Sequence, residues 1–288
     1  METRLGQRSP QALRETIDDK PPIIAVVSSK GGVGKSTVSL NLSLALAERG
    51  LRTLLIDLDP QGAIGHSLRK GDLEWRGIVD VLAKEAQPEE VLVQTREPRL
   101  AILPRGRLDP VDAVEFEELV RQPEVLNSII DPLIRDFERV IIDTPSGVGS
   151  IPRGALSIAD WALVVFKAEP LAARTIQQSL RLVEYVASNI NPRLQLLGVL
   201  PSMVDVRNEV SQNALLDLWS HVEGVLDASI PRSEMIAKAS MLGIPVAYHG
   251  GRMLPEARRF AQLAEEIESI ITVPGRSRDE ERPLRSLV

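Results

Sequence analysis

A glycine-rich segment near the start of the chain has the residue types that bind phosphate groups. It reads SKGGVGKST over residues 29–37, between an apolar run and a helical pattern. Glycines let the backbone wrap closely around an anion, and the amides at the start of the helix point towards it. Lys35 supplies a cation for the β- and γ-phosphates, and Ser36 offers a hydroxyl to Mg²⁺. The segment therefore predicts a phosphate-binding loop, made by Lys30, Gly31, Gly32, Val33, Gly34, Lys35, Ser36 and Thr37.

Three aspartates follow apolar runs that we predict to be strands. Asp57 and Asp59 end the run in RTLLIDLDPQG, and Asp143 ends the run in ERVIIDTPSG. The carboxyl ends of parallel strands face the crevice where ligands bind in doubly wound sheets. Alternation along an extended chain places the side chains of Asp57 and Asp59 on the same side. We therefore expect these carboxylates at the same edge of the sheet as the phosphate-binding loop.

Apolar runs that alternate with helical patterns predict the fold that positions these residues. Several runs are continuously apolar, as is typical of strands covered on both faces. The predicted strands are residues 23–27, 53–56, 100–103, 140–142, 161–166 and 196–200, and the predicted helices include 37–48, 110–120, 124–137, 171–189 and 209–221. This order predicts an α/β fold, a single doubly wound and mostly parallel sheet flanked by helices on both faces, as in P-loop NTPases.

The domain organisation follows from where the alternation starts and stops. We predict one domain over residues 21–271, because neither an internal repeat nor a long linker interrupts it. Residues 1–20 are polar and predict a mobile lead-in with one short helix around residues 10–17. Residues 272–288 mix Pro, Gly and both charge signs, which predicts a disordered tail.

Composition excludes several classes of function. The 288 residues contain no cysteine, which excludes disulfides, thiolate zinc sites, iron–sulfur clusters and cysteine nucleophiles. The formal charge of −6 excludes a globally basic nucleic-acid binder, so DNA affinity would require a local patch. No apolar run approaches the roughly 18 residues that span a bilayer, and the start of the chain has no signal-peptide pattern. These features predict a cytoplasmic protein.

The phosphate-binding loop departs from the usual pattern in an informative way. Ser29 stands where the first glycine is usual, and a second lysine, Lys30, follows it directly. This KGGVGKST string resembles the deviant Walker A motif of the ParA/MinD superfamily of ATPases. The resemblance implies ATP and Mg²⁺ as cofactors and an ATP-dependent homodimer. It also implies that Lys30 contacts the nucleotide phosphates of the opposite subunit.

The same resemblance implies roles for the acidic residues. The D-x-D-P-Q-G segment is the first switch of the family, in which Asp59 would orient the attacking water and Asp57 would help to hold Mg²⁺ through solvent. Gln61 is a weaker switch candidate. The segment with Asp143 resembles a Walker B motif, in which the carboxylate bonds a Mg²⁺-bound water and Gly147 can move with the γ-phosphate. Lys30, Lys35 and Asp59 are then the expected catalytic residues of a slow ATP hydrolase that a partner stimulates.

The resemblance continues to residue 271. LLGVLPSMVDVRNEV is similar to the late strand and adenine-side loop of the family, with Pro201, Ser202 and Met203 as base-contacting candidates. ASIPRSEMIAKASMLGIPVAY is similar to the IPR segment of ParA proteins and the helix and turn after it. The resemblance is therefore strongest to ParA-type partition ATPases.

A local basic patch is the candidate DNA surface. Residues 231–260 hold five Lys and Arg against two Glu, a formal balance of +3. Nonspecific DNA binding needs several phosphate contacts, and a dimer doubles their number. Arg207 is a further candidate, although Asp205 and Glu209 flank it. The predicted DNA-binding residues are Arg232, Lys238, Arg252, Arg258 and Arg259.

The expected function is a nucleoid-associated ATPase that positions a plasmid, a chromosome or a protein assembly. A ParB-like or analogous adaptor would stimulate hydrolysis, and no membrane contact is expected. Three alternatives remain open. They are a MinD-like membrane-associated ATPase, a small-molecule ligase-type enzyme on the same fold, and an interaction protein whose ATP site only locks a dimer.

Overall fold

Seven strands form one sheet at the centre of the protein. The computed structural model describes residues 20–62, 64, 75–169, 172–250 and 254–272. The predicted lead-in and tail lie outside these residues, apart from Lys20 and Thr272. The strands are β1 (Ile23–Val27), β2 (Thr53–Asp57), β3 (Val93–Gln94), β4 (Leu100–Leu103), β5 (Arg139–Asp143), β6 (Trp161–Lys167) and β7 (Gln195–Ser202).

The strand order is β3-β4-β2-β5-β1-β6-β7. All neighbours pair in parallel except β3, which runs antiparallel to β4. The predicted mostly parallel sheet is therefore confirmed. The sequence analysis missed β3, because a two-residue strand is too short to produce a periodic pattern.

Helices cover both faces of the sheet, as predicted. In chain order the α-helices are α1 (Lys35–Glu48), α2 (Ile78–Leu82), α3 (Ala113–Val120), α4 (Pro123–Ile130), α5 (Ser150–Ile158), α6 (Ala172–Asn189), α7 (Glu209–His221), α8 (Glu234–Met241), α9 (Val246–Gly250) and α10 (Pro255–Thr272). Two 3₁₀ turns, Pro88–Val91 and Ile134–Asp136, complete the described elements. The predicted single helix over residues 124–137 is wrong, because Pro132 has no amide hydrogen with which to continue α4.

Each of the six strands other than β3 contributes to two separate hydrophobic cores. In β1, Ile24 and Val26 belong to the core on one face, and Ala25 and Val27 belong to the core on the other. This double burial explains why the strand sequences are continuously apolar rather than alternating. Helices α1 and α10 pack together over the first of these faces.

A buried ion pair joins the sheet to the last described helix. The Arg139 side chain in β5 donates from Nε to Glu268 Oε1 at 2.7 Å and from Nη2 to Oε2 at 2.5 Å. The two side chains are only 11% and 15% exposed. The pair fixes α10 against the amino end of β5, at the edge of the sheet opposite the candidate site.

Replacing Glu268 with alanine should lower the free energy of unfolding by about 3 kcal/mol, because it leaves the Arg139 guanidinium buried without its counter-charge. Chemical denaturation of the full chain measures the change. Asp131→Ala is the matched control, since Asp131 pairs with Lys20 in an exposed contact whose side chains are 47% and 61% exposed. That control should cost less than about 1 kcal/mol. Equal losses for the two variants would contradict the assignment of Arg139–Glu268 as a structural clamp.

Candidate functional site

The phosphate-binding loop connects β1 to α1 and is held from several sides. Gly34 has φ 91° at the N-terminus of α1, a left-handed conformation that side chains disfavour. Hydrogen bonds from three other elements fix the loop. The Ser29 amide donates to Ser179 Oγ at 2.9 Å, the Ser202 hydroxyl donates to the Val33 carbonyl at 2.6 Å, and the Gly147 amide donates to the Ser28 carbonyl at 2.9 Å. The loop is therefore shaped before any anion arrives.

Lys35 points into the protein rather than into solvent. Its Nζ donates to Ser146 Oγ at 2.7 Å, and the residue is 6% exposed. Burial lowers the pKa of Lys35, while the charges of Asp143 and Asp59 act in the opposite direction. The structure thus brings together one predicted phosphate-binding lysine and two of the three predicted carboxylates. The sequence analysis did not single out Ser146, although it lies in the TPSG segment directly after Asp143.

Asp143 is fully buried, and its environment is suited to a divalent cation. The Ser39 hydroxyl donates to Oδ1 at 2.8 Å, whereas Oδ2 has no hydrogen-bond partner among the described residues. Burial raises the pKa of Asp143 to about 6, against the opposing effects of the Ser36 and Ser39 hydroxyls and the Lys35 charge. A buried carboxylate oxygen without a partner is costly unless a cation or a cation-bound water meets it. Ser39 also escaped the sequence analysis, although it lies one helical turn after Lys35.

Asp57 lies beside Asp143 at the carboxyl edge of the sheet. The two residues are register partners in β2 and β5, and both are fully buried. Among the described residues, no cluster of three or more His, Cys, Asp and Glu side chains could enclose a metal by itself. The residues present nevertheless fit Mg²⁺, which prefers oxygen ligands and usually combines one or two carboxylates with waters and substrate phosphates. Ser36, Asp57 and Asp143 are the residues that could hold it.

Asp59 lies in a tight turn that we call the switch turn, residues 59–62. Its Oδ1 accepts from the Gln61 amide at 2.8 Å, and its carbonyl accepts from the Gly62 amide at 2.7 Å. The Asp59 amide donates to Asp57 Oδ1 at 3.0 Å, which ties the turn to the end of β2. The turn therefore holds the predicted water-orienting carboxylate near Lys35. One of the two carboxylate oxygens already accepts a hydrogen bond within the turn.

Lys30 points the other way from Lys35. Its side chain is 52% exposed, and Nζ contacts Glu169 Oε2 at 3.0 Å. Glu169 follows β6 and also accepts from Lys167, and these two hydrogen bonds lower the pKa of Glu169. The sequence analysis did not identify Glu169, because its contact with Lys30 joins residues 139 positions apart.

The base-contacting candidates lie against the loop to different degrees. Met203 has φ 52°, and its Cε would be 3.7 Å from a Cβ placed on Gly34. Pro201 is buried within β7, opposite Phe166 in β6. Met203 therefore lies beside the phosphate-binding loop, whereas Pro201 is part of the strand behind it. A base contact remains a prediction for both.

The described residues of the predicted DNA-binding set lie in or beside helices that pack on the same face of the sheet as α1. Arg232, Lys238, Arg258 and Arg259 are exposed, and Arg252 lies outside the described residues. Lys238 forms an exposed pair with Glu234 at 3.4 Å. Helix α8 approaches the phosphate-binding loop, since Ser240 Oγ and Thr37 Oγ1 are 3.3 Å apart. The patch is therefore accessible, and its function remains a prediction.

Asp143→Asn should stabilise the nucleotide-free, magnesium-free protein by roughly 3 kcal/mol at pH 8. The folded pKa of about 6 lies above the ordinary value of 3.8. Ionisation of the buried carboxyl therefore lowers the free energy of unfolding as the pH rises above 3.8, and the full loss is reached above about pH 6. The curves of wild type and variant should converge as the pH falls towards 4, where both side chains are neutral. Denaturation in EDTA across the pH range measures this, with the exposed Glu265→Gln as a control that should follow wild type. A variant that is less stable than wild type at pH 8 would contradict the proposed cost of burying this charge.

Comparisons with known proteins agree with this geometry. A family model described as an AAA domain matches residues 22–196. The chromosome partitioning protein ParA of Caulobacter vibrioides (strain NA1000 / CB15N) is 32% identical over 252 residues, which cover 86% of this chain and 94% of that protein.

Two solved structures share the fold over most of their length. A structure described as cobyrinic acid a,c-diamide synthase from Mycobacterium smegmatis, with bound ATP analog and magnesium, is 31% identical with a TM-score of 0.74. The match covers 88% of this chain and 96% of that one. The cell division ATPase MinD of Pyrococcus furiosus is 27% identical with a TM-score of 0.69, covering 86% and 99%. With the loop, the carboxylates and the strand order, these matches show that the chain belongs to the ParA/MinD superfamily of P-loop ATPases, on its ParA-type branch.

Proposed function

We propose that this protein is a positioning ATPase that dimerises around Mg·ATP and binds nonspecific DNA as the ATP dimer. Its cargo would be a plasmid, a chromosome or a protein assembly. The observation that carries the proposal is the opposite orientation of two lysines in one loop. Lys35 is buried against Ser146 inside its own site, and Lys30 is half-exposed at the outer side of the loop.

The outward lysine is the argument for a dimer. Lys35 already supplies the loop's own site with a cation, so a phosphate bound there does not require Lys30 from the same chain. A two-fold arrangement that faces two loops towards each other would place each Lys30 against the nucleotide of the other chain. Such an isologous contact is the commonest form of homodimer. Dimerisation would then depend on ATP, because each outward lysine would bind the phosphates of the nucleotide held by the other chain.

The remaining residues of the site have matching roles. The amides of residues 31–37 would surround the phosphates, and Met203, backed by Pro201, would meet the base. Ser36, Asp57 and Asp143 would hold Mg²⁺, directly or through water. When bound, Mg²⁺ neutralises charge on the phosphate oxygens. Lys35 and the partner's Lys30 would stabilise the charge that develops as the terminal phosphate leaves.

Asp59 is the candidate for orienting water, and its geometry favours slow hydrolysis. One of its oxygens accepts from the Gln61 amide, so the position of the carboxylate depends on the conformation of the switch turn. Hydrolysis would be slow until a regulator stabilises the turn in the conformation that aligns the attacking water. A ParB-like or analogous adaptor would be that regulator, and the ATP state would act as a timer.

DNA binding is assigned to the basic patch of residues 231–260, whose formal balance is +3 in a chain of −6. Each phosphate contact releases counterions, so affinity rises steeply with the number of contacts. A dimer presents the patch twice, which makes DNA affinity depend on ATP. The protein would accordingly be associated with the nucleoid in the cytoplasm.

Two other functions have specific observations in their favour. The similarity to a structure described as a diamide synthase favours a ligase-type enzyme, and the similarity to MinD favours a membrane-associated ATPase. Within the described part of the chain, no helix is long and apolar enough to cross a bilayer. The apolar face of α10 is already buried against α1 through Phe260, Leu263 and Ile267. That helix therefore has no free apolar face to insert into a membrane surface, and we favour DNA as the partner.

Asp59→Ala should trap the protein as an ATP-bound dimer on DNA, because it removes the water-orienting carboxylate and leaves the phosphate contacts intact. Light scattering and retention on nonspecific DNA, each with ATP, ADP and no nucleotide across a salt series, measure the effect. The double variant Lys30→Gln/Asp59→Ala is the control and should bind ATP but stay monomeric. Equal DNA retention in all three nucleotide states would refute the DNA switch. ATP consumption that is unaffected by Asp59→Ala and accelerated by cobyrinic acid with ammonia would favour the ligase.

Replacing Arg258 and Arg259 together with alanine should weaken ATP-dependent DNA retention at least tenfold and flatten its salt dependence, because about four phosphate contacts per dimer are lost. Filter binding in 50–200 mM salt measures the change. Arg135→Ala/Arg193→Ala removes the same charge from exposed positions outside residues 231–260 and is the matched control. ATP-driven dimerisation should be unchanged in both variants. If the control weakens binding equally, net charge rather than the patch would account for DNA affinity.

A further inference from the structure

Arg105 reaches from the end of β4 to the switch turn, and the sequence motifs assign it no role. Its Nη1 donates to the Pro60 carbonyl in the middle of the turn. A Cβ placed on Gly62 would lie 2.8 Å from Arg105 Nη2, so the guanidinium occupies the space beside a glycine whose φ is +63°. The side chain therefore packs along the turn and is not simply directed into solvent.

The backbone that carries Arg105 is itself anchored. The Val79 amide donates to the Arg105 carbonyl at 2.9 Å, and the Ile78 amide donates to the Pro104 carbonyl at 3.0 Å. These amides belong to the first turn of α2, where they have no partner within the helix. Gly77 permits the approach, since a Cβ there would lie 2.2 Å from the Pro104 carbonyl oxygen. The backbone at Arg105 is therefore held against the N-terminus of α2 by two hydrogen bonds.

The rotamer of Arg105 is also restrained. Its Nε donates to the Gly106 carbonyl at 3.1 Å, while Nη1 donates to Pro60. A planar guanidinium that makes two directed hydrogen bonds positions its acceptors better than a flexible ammonium does. Arginine at this position can therefore act as a rigid strut between β4 and the switch turn.

Holding the Pro60 carbonyl also holds the Asp59 carboxylate. Asp59 Oδ1 accepts from the Gln61 amide and the Asp59 carbonyl accepts from the Gly62 amide, so residues 59–62 form one hydrogen-bonded unit. A displacement of the Pro60 carbonyl is consequently transmitted to the carboxylate on the preceding residue. Arg105 itself makes no described contact with the phosphate-binding loop.

We propose that Arg105 is a positioning residue for ATP hydrolysis, which acts through Pro60 to set the position of Asp59. The proposal rests on the proposed function, because it takes Asp59 as the residue that orients water. Positioning errors of about 1 Å reduce rates by about 10²-fold. Loss of the strut should therefore lower kcat while the phosphate contacts, and hence ATP affinity, remain.

The test compares Arg105→Ala, Arg105→Lys and Asp59→Ala in the full chain, singly and in combination, by basal ATP hydrolysis on DNA. We expect Arg105→Ala to lower kcat about 10- to 100-fold, with the KM for ATP and the ATP-driven dimer within about twofold of wild type. Arg105→Lys should recover part of the rate, since lysine can donate to Pro60 but not simultaneously to Gly106. In the Asp59→Ala background, Arg105→Ala should cause no further loss, because residues that act through one another are not additive.

Arg76→Ala is the matched control. Arg76 precedes α2, is half-exposed, and contacts Asp80 and the Glu85 carbonyl without touching the switch turn. It should leave kcat unchanged, and thermal melts of all variants identify any loss of fold. Additive losses in the double variant, or a rise in KM in place of a fall in kcat, would overturn the positioning role. If Asp59→Ala itself leaves hydrolysis unchanged, the proposed function fails. If only Arg105→Ala leaves it unchanged, this inference alone fails.

Discussion

At the carboxyl edge of the sheet, a fully buried carboxylate and a nearly buried ammonium group share one low-dielectric space. Burial disfavours the charged forms of both Asp143 and Lys35, and the charge of each side chain partly offsets this cost for the other. The strand order makes this possible, because β5 lies between β1 and β2 and so presents Asp143 beside the loop that follows β1. Among the described residues, Oδ2 of Asp143 has no hydrogen-bond partner, and a cation or a cation-bound water would fit there. Under the proposed function, stability and nucleotide binding would be coupled through the same two side chains.

Much of the fold could be predicted because its signals are local. Continuously apolar strands and a glycine-rich loop before a helix each lie within about ten residues of sequence, and the structure confirms both. The break before Pro132 was not predicted, although proline cannot continue a helix. Three side-chain contacts could not be predicted either, because they join segments that are distant in sequence. They are the contacts of Ser146 with Lys35, Glu169 with Lys30 and Arg105 with Pro60. Motifs identified the chemistry of the site, and only the tertiary structure identified what holds each group in place.

The contact between Lys30 and Glu169 bears on how a dimer could form. Both side chains are substantially exposed, and a pair of this kind stabilises a protein by about 0–1 kcal/mol. A charge-assisted contact with phosphate in a closed interface is stronger. Lys30 is therefore kept near the loop in the single chain but can be released at small cost. Glu169 would not be left without a counter-charge, since Lys167 also pairs with it.

The contrast between the phosphate-binding loop and the switch turn would allow one site to bind firmly and hydrolyse slowly, as the proposed function requires. Hydrogen bonds join the loop to β7, α6 and the segment after β5, and Val33 within the loop belongs to a hydrophobic core. Moving it would disturb three elements at once. The switch turn is held by a few hydrogen bonds. The bond from the Gln61 amide to Asp59 is exposed, and the bond from Arg105 to Pro60 is half-buried. Such bonds contribute about 0.5–1.5 kcal/mol each and can be exchanged without unpacking a core. Under the proposed function, a regulator that contacts the switch turn could therefore adjust the position of Asp59 while the nucleotide stays bound, and this is the separation of affinity from rate that a timing ATPase requires.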